Sequence, residues 1–129
     1  MSGDKATIVI RPRLTGPAKF LGDLECEIME IIWANSPLTV KRVLYFIQKK
    51  RPYAYTTIMT VMNRLANKGL LTRNKKGQAF IYTPLQSRAE FLRGTVEKIL
   101  TGLWEDFPEV SQYVLQKARK TPESRRKGR

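Results

Sequence analysis

Between residues 55 and 68 the aliphatic side chains Ile58, Val61, Met62 and Leu65 fall at i, i+3, i+4 and i+7, the spacing of one stripe on an α-helix. The positions opposite, Thr56, Thr60, Asn63, Arg64 and Asn67, are neutral or basic hydrogen-bonding groups without a carboxylate. Ordinary solvated helix faces mix Glu with Lys, whereas an acid-free face suits the major groove of DNA. Upstream, residues 21–34 predict a first helix with Leu21, Leu24, Ile28, Ile31 and Ile32 inward and Met29 and Trp33 widening the stripe. Asp23, Glu25 and Glu27 occupy its first turns, where the helix dipole favours negative charge, and are expected to be stabilising surface groups. Asn35-Ser-Pro37 stops it.

Leu38-Thr39 reads as a short strand leading to Thr39 as the N-cap of a second helix over residues 40–49. Val40, Val43, Leu44 and Ile47 face inward in it, and Lys41, Arg42, Gln48 and Lys49 face out. Arg51-Pro52 ends that helix. Tyr53-Ala54 then joins it to the third within a few residues, as a helix-turn-helix requires. Gly69 is placed to terminate the third helix. Two β-prone runs, residues 70–73 and 79–83, flank the polar turn Asn74-Lys-Lys-Gly-Gln78 and predict a hairpin tipped by Lys75 and Lys76, with Arg73 beside them.

A fourth helix is expected over residues 87–104, where Leu92, Val96, Ile99, Leu100 and Leu103 form a continuous stripe bordered by Phe91 and Trp104. Pro108 permits a further short helix to about Ala118, with Val110, Val114 and Leu115 on one side. A small winged domain has little need of such a long helix, so its stripe either packs on its own domain or, the favoured expectation, meets a second copy of the chain. The architecture is mainly α with a small β-hairpin: a winged helix-turn-helix followed by C-terminal dimerisation helices. Residues 1–20 are expected to be a flexible basic arm with a short β-prone segment at Thr7-Ile-Val-Ile10. Residues 21–85 form the winged-helix domain, 86–118 the dimerisation region, and 119–129 a disordered basic tail.

Charge changes this picture through its distribution. The 129 residues carry a formal charge of +13. No Asp or Glu occurs in the 59 residues from 31 to 89, which hold eleven Lys or Arg, and solubility does not require that. Binding of this middle segment to a polyanion is the favoured expectation. The chain has no histidine and one cysteine, Cys26, which sits in the first amphipathic helix as a small packed residue. Disulfides, Cys/His zinc sites and nucleophile pairs built on histidine are therefore excluded for one chain, and no cofactor, metal or enzymatic activity is expected. No apolar run approaches the ~20 residues needed to span a bilayer, so a cytoplasmic location without membrane contact is the default.

Several segments also carry a resemblance. Leu21-Gly-Asp-Leu-Glu-Cys-Glu-Ile-Met-Glu-Ile-Ile-Trp33, Pro37-Leu-Thr-Val40, Arg51-Pro-Tyr-Ala-Tyr-Thr-Thr-Ile-Met-Thr-Val-Met-Asn-Arg-Leu65 and Lys68-Gly-Leu-Leu-Thr-Arg73 resemble the penicillinase and methicillin-resistance repressor family, with its related copper repressors. The resemblance covers about residues 20–100. It implies a winged-helix homodimer that occupies palindromic operators, with the third helix in the major groove, the wing on the backbone and the later helices at the dimer interface.

By position, the implied DNA-binding residues on the third helix are Thr56, Thr57, Met59, Thr60, Asn63 and Arg64, with Lys75 and Lys76 on the wing. Thr39, Lys41, Tyr55, Lys68 and Arg73 complete the candidate DNA-binding set. Leu92, Val96, Ile99, Leu100, Leu103, Trp104, Val110 and Val114 are the candidate dimer interface. Two departures concern release from DNA. Family members cut by a membrane sensor carry an Asn-Phe bond in the C-terminal region where this chain has Asp106-Phe107, and the copper-responsive branch carries a C-terminal cysteine cluster that is missing here. The inducer or sensor therefore stays open.

The expected function is a dimeric, sequence-specific repressor whose partner is double-stranded operator DNA. Low-specificity architectural DNA binding is the nearest alternative, given the basic ends. A winged-helix protein-interaction module is a further one, but acids or bulky apolar residues should then mark the outward face of the third helix, where only Met59 does.

Overall fold

The apolar stripes of the first three expected helices become buried helix faces. The computed structural model describes residues 10–12 and 14–119. Its helices are α1 (Asp23–Asn35), α2 (Val40–Ile47), α3 (Tyr55–Asn67), α4 (Arg88–Asp106) and α5 (Pro108–Arg119), with strands β1 (Leu71–Lys76) and β2 (Ala79–Pro84) between α3 and α4. The chain divides into two compact units, Met1–Leu92 and Arg93–Arg129.

The core of the first unit is assembled from Ile28, Met29 and Ile32 of α1, Val43 and Ile47 of α2, the four stripe residues of α3, and Leu71 and Tyr82 of the hairpin. Removing each such side chain from water contributes roughly 1.5–3 kcal/mol, more than the helix propensities of these short segments supply. Thr39 caps α2 as expected, its hydroxyl accepting from the Arg42 N–H at 3.1 Å. Leu38 forms a single antiparallel bridge with Tyr82, which ties the turn before α2 to the hairpin. Gly69, at φ 88, takes the left-handed conformation that follows α3.

Several expectations shift. The strands run through most of the expected five-residue turn, pairing Lys76 with Ala79 and leaving only Gly77 and Gln78 at the tip. Gly77, at φ 65, is what permits so tight a turn. Arg73 and Lys75 therefore share one side of β1, and Lys76 lies on the other.

The expected arm is folded where the structure describes it. Gly16–Lys19 form a 3-10 turn with Pro17 buried. Arg11 donates to the carbonyls of Ala18 and Leu21 and pairs with Asp23. Most of the β-prone segment (Thr7-Ile-Val9), Arg13 and residues 120–129 of the basic tail lie outside the described residues.

The acids of α1 are partners and not loose surface groups. Glu25 is buried, Glu27 pairs with Arg51, and Glu30 receives a forked contact from Arg88 at 3.0 and 3.2 Å. Phe91, expected at the border of a stripe, packs on Trp33 with ring centroids 5.6 Å apart. Ser87 opens α4 with a reciprocal capping box, accepting from the Glu90 N–H at 3.0 Å while its own N–H donates to Glu90 Oε1 at 2.9 Å.

In the second unit the corner between α4 and α5 is closed by the Ser111 hydroxyl, which donates to the Leu103 carbonyl at 3.0 Å. No residue of α4 or α5 is buried. Of the candidate interface residues, Val96, Leu100, Leu103, Trp104, Val110 and Val114 are exposed, and Leu92 and Ile99 are half-buried. Among the described residues no helix is long and apolar enough to cross a membrane.

The two faces of α3 should respond oppositely to truncation. Ile58→Ala is expected to destabilise the domain by about 2–5 kcal/mol in urea unfolding, whereas Thr56→Ala on the exposed side should stay within about 0.5 kcal/mol of the parent.

Candidate nucleic-acid interface

Burial of Ile58, Val61, Met62 and Leu65 leaves α3 only one rotation about its axis, and that rotation turns Thr56, Thr60 and Asn67 to solvent. Ala54, the N-cap of α3, offers no side-chain acceptor, so the first N–H groups of the helix are left to solvent or to a ligand. No acid lies in the first turn of α2 or of α3.

Thr39, Lys41, Tyr55, Met59, Asn63 and Arg73 line one open groove of about 380 Å³ between the start of α2, the side of α3 and the hairpin. These six residues were separate expectations in the sequence, and the fold brings them together. Gln78, Ala79, Phe80 and Tyr82 of the hairpin also line it. Sequence reasoning missed those four. The signal for Phe80 and Tyr82 was the two-residue alternation of β2, which puts both on the side of the hairpin shared with Arg73 and Lys75.

One hydrogen-bonded cluster crosses this groove. Asn63 Oδ1 accepts from Arg73 Nη1 and from the Tyr82 hydroxyl, each at 2.8 Å. Arg73 in turn lies 4.6 Å from the centre of the Phe80 ring, a favourable seat for a guanidinium. Asn63 and Arg73, both expected to face DNA, are thus also the link between α3 and the wing. Thr57 and Arg64 are exposed outside the groove, and Lys75 and Lys76 are exposed near the hairpin tip.

Lys68 is committed elsewhere. Its ammonium donates to Glu25 Oε2 at 2.8 Å, while Glu25 Oε1 accepts from the Gly22 N–H at 3.1 Å. One carboxylate therefore caps the start of α1 and holds the end of α3, so Lys68 is not a free cation for a phosphate. Burial pushes the Glu25 carboxyl upward, but the hydrogen bonds from Lys68 and Gly22 and the charges of Lys68 and Arg64 outweigh it and leave the group below its ordinary value of 4.5. Cys26 is half-buried, as expected. Burial and the neighbouring Glu30 push its thiol upward, away from a reactive thiolate.

A family model described as penicillinase repressor matches residues 21–127. The transcriptional regulator BlaI of Mycobacterium tuberculosis is 40% identical over 75 residues, covering 57% of this chain and 54% of that protein. The penicillinase repressor of Bacillus licheniformis is 32% identical over 72 residues, covering 56% of each. The match thus spans about half the length of these curated relatives.

Two solved structures are also similar. The solution structure of the DNA-binding domain of the repressor BlaI shares 34% identity over 52% of this chain and 82% of its own, with a TM-score of 0.48. The monomeric form of B. licheniformis BlaI in complex with the blaP half-operator shares 36% identity over 50% and 78%, with a TM-score of 0.44.

The Glu25–Lys68 contact gives a pH signature. Because the folded-state value of Glu25 is lowered, its stabilisation is complete above 4.5 and is lost as pH falls through the lower folded value. Glu25→Gln should cost about 1–2 kcal/mol at neutral pH, allowing for the partial exposure of Lys68, and should flatten the acid limb of the stability profile. Denaturant melts at a series of pH values measure both effects.

Proposed function

Since the chain belongs to the penicillinase repressor family, whose model matches residues 21–127, we propose that it is a dimeric repressor that occupies a palindromic operator, with α3 in the major groove and the hairpin beside it. The family is one of repressors and not of enzymes. The observation that carries the reading is the outward side of α3, which is fixed by four buried residues, opens with uncapped N–H groups and lies within 59 residues free of acids. Thr56, Thr60, Asn63 and Arg64 present hydrogen-bonding groups for base edges or phosphates, and Met59 presents an apolar surface suited to a thymine methyl. Thr57, Tyr55 and the starts of α2 and α3 are positioned for the sugar-phosphate backbone. On the wing, Lys75 and Lys76 supply charge without sequence preference.

Dimerisation is the second part of the proposal. Leu100 is 60% exposed and Val110 62%, and Val96, Leu103, Trp104 and Val114 are exposed beside them in sequence. An apolar surface of this kind on α4 and α5 is what a symmetric partner covers. Two copies would present two recognition helices to half-sites about one helical turn apart, or a small multiple of that. Repression then follows from occupancy of promoter DNA.

Selection from a random DNA pool with the purified chain should yield a palindromic motif; no enrichment would favour architectural binding instead. On the selected duplex, Arg64→Ala should lose about 1–3 kcal/mol of discrimination against random DNA if Arg64 reads a base. Lys76→Ala should weaken both duplexes equally and reduce the slope of log K against log salt by about 1. Equal losses on all sequences for both variants would remove Arg64 from base reading. Leu100→Asp should sediment as a monomer, and an unchanged mass would mean that Leu100 does not lie between two copies of the chain.

A further inference from the structure

The cluster across the groove restricts what Asn63 can recognise. A side-chain amide has one oxygen with two lone pairs and one NH₂ with two donors. Guanidinium groups only donate, so the Asn63 atom facing Arg73 at 2.8 Å must be the oxygen. Tyr82 donates to that same oxygen at 2.8 Å, which uses its second lone pair. Tyr82 is only 1% exposed, and the exposed Arg73 lies over the Phe80 ring at 4.6 Å from its centre. The NH₂ of Asn63 is what remains for a ligand on the open side of α3.

Building on the operator-reading proposal, we propose that Asn63 is a donor-only specificity residue that selects guanine at one position of each half-site. The two-bond pairing of asparagine with adenine needs the amide oxygen to accept from adenine N6 while the NH₂ donates to N7. In this protein the oxygen has no lone pair left to accept. Guanine presents only acceptors, N7 and O6, to the NH₂, which can donate to either or share an N–H between them. Adenine sets its own N6 donor beside N7, where it faces the NH₂ without an acceptor. The two contacts that fix the hairpin to α3 therefore also set the base preference of the residue between them.

The test is random-pool selection with the full chain, run in parallel for the parent, Asn63→Asp and Asn63→Ala, with a thermal melt of each. Aspartate keeps an oxygen for Arg73 and Tyr82 and puts a second oxygen, an acceptor, where the NH₂ stood. The parent should show a guanine position that becomes cytosine, the base with an N4 donor, in Asn63→Asp, while all other positions hold. In Asn63→Ala that one position should lose its preference, by about 2- to 10-fold in relative affinity. If Asn63→Asp does not fold, the alanine variant decides on its own. A preference for adenine at the position that alanine levels would overturn the proposal, as would an equal loss on all sequences in both variants. A parent that enriches no motif contradicts operator reading itself, and that outcome is visible before any variant is compared.

Discussion

The direction in which the third helix faces depends on four side chains, Ile58, Val61, Met62 and Leu65, all sealed in the core. Rotating the helix by one residue position would expose part of that stripe and bury threonines and asparagines without partners, at a cost of several kcal/mol. Small domains have only about 5–15 kcal/mol of net stability, so no other rotation competes. The polar face is thereby presented as a rigid surface, and preorganisation of this kind lowers the ordering cost of binding.

Two polar contacts finish what the apolar stripe begins. At the end of α3, Glu25 reaches across from α1 to Lys68. Midway along it, Asn63 accepts from Arg73 and Tyr82 of the hairpin. The first contact fixes the helix to the domain and takes one lysine out of the basic surface. The second fixes the wing to the helix and narrows the chemistry that Asn63 offers. In both, a residue read from sequence as a surface group also has a structural task, because a half-buried polar atom has to find a partner.

What was legible in the sequence was whatever repeats at short range. Helical spacing gave the buried faces of α1, α2 and α3, Thr39 and Gly69 marked helix ends, and the β-prone run of residues 79–83 marked a strand. Charge was legible too, since an absence of acids over 59 residues can be read without a structure. Less visible were contacts between distant positions, such as Glu25 with Lys68 or Asn63 with Tyr82. Glu25 stands three, four and seven residues before Ile28, Met29 and Ile32, so its inward position was implied, but its partner 43 residues away was not. The tight Gly77-Gln78 turn was also missed, because Asn74, Lys75 and Lys76 have the composition of a loop and are held in β1 only by their pairing with β2. Membership of the penicillinase repressor family supports what the residues of α3 suggested.

The surface proposed to meet DNA is the outward side of α3 together with the groove to the hairpin. Titration of isotopically labelled protein with the selected duplex, followed by amide and side-chain NMR shifts, tests this most directly. The largest shifts should fall on Thr56, Thr60, the Asn63 side-chain NH₂, the first residues of α2 and the hairpin tip, with α1 little changed. Shifts concentrated on α1 or on α4 and α5, with the Asn63 NH₂ unmoved, would contradict the account.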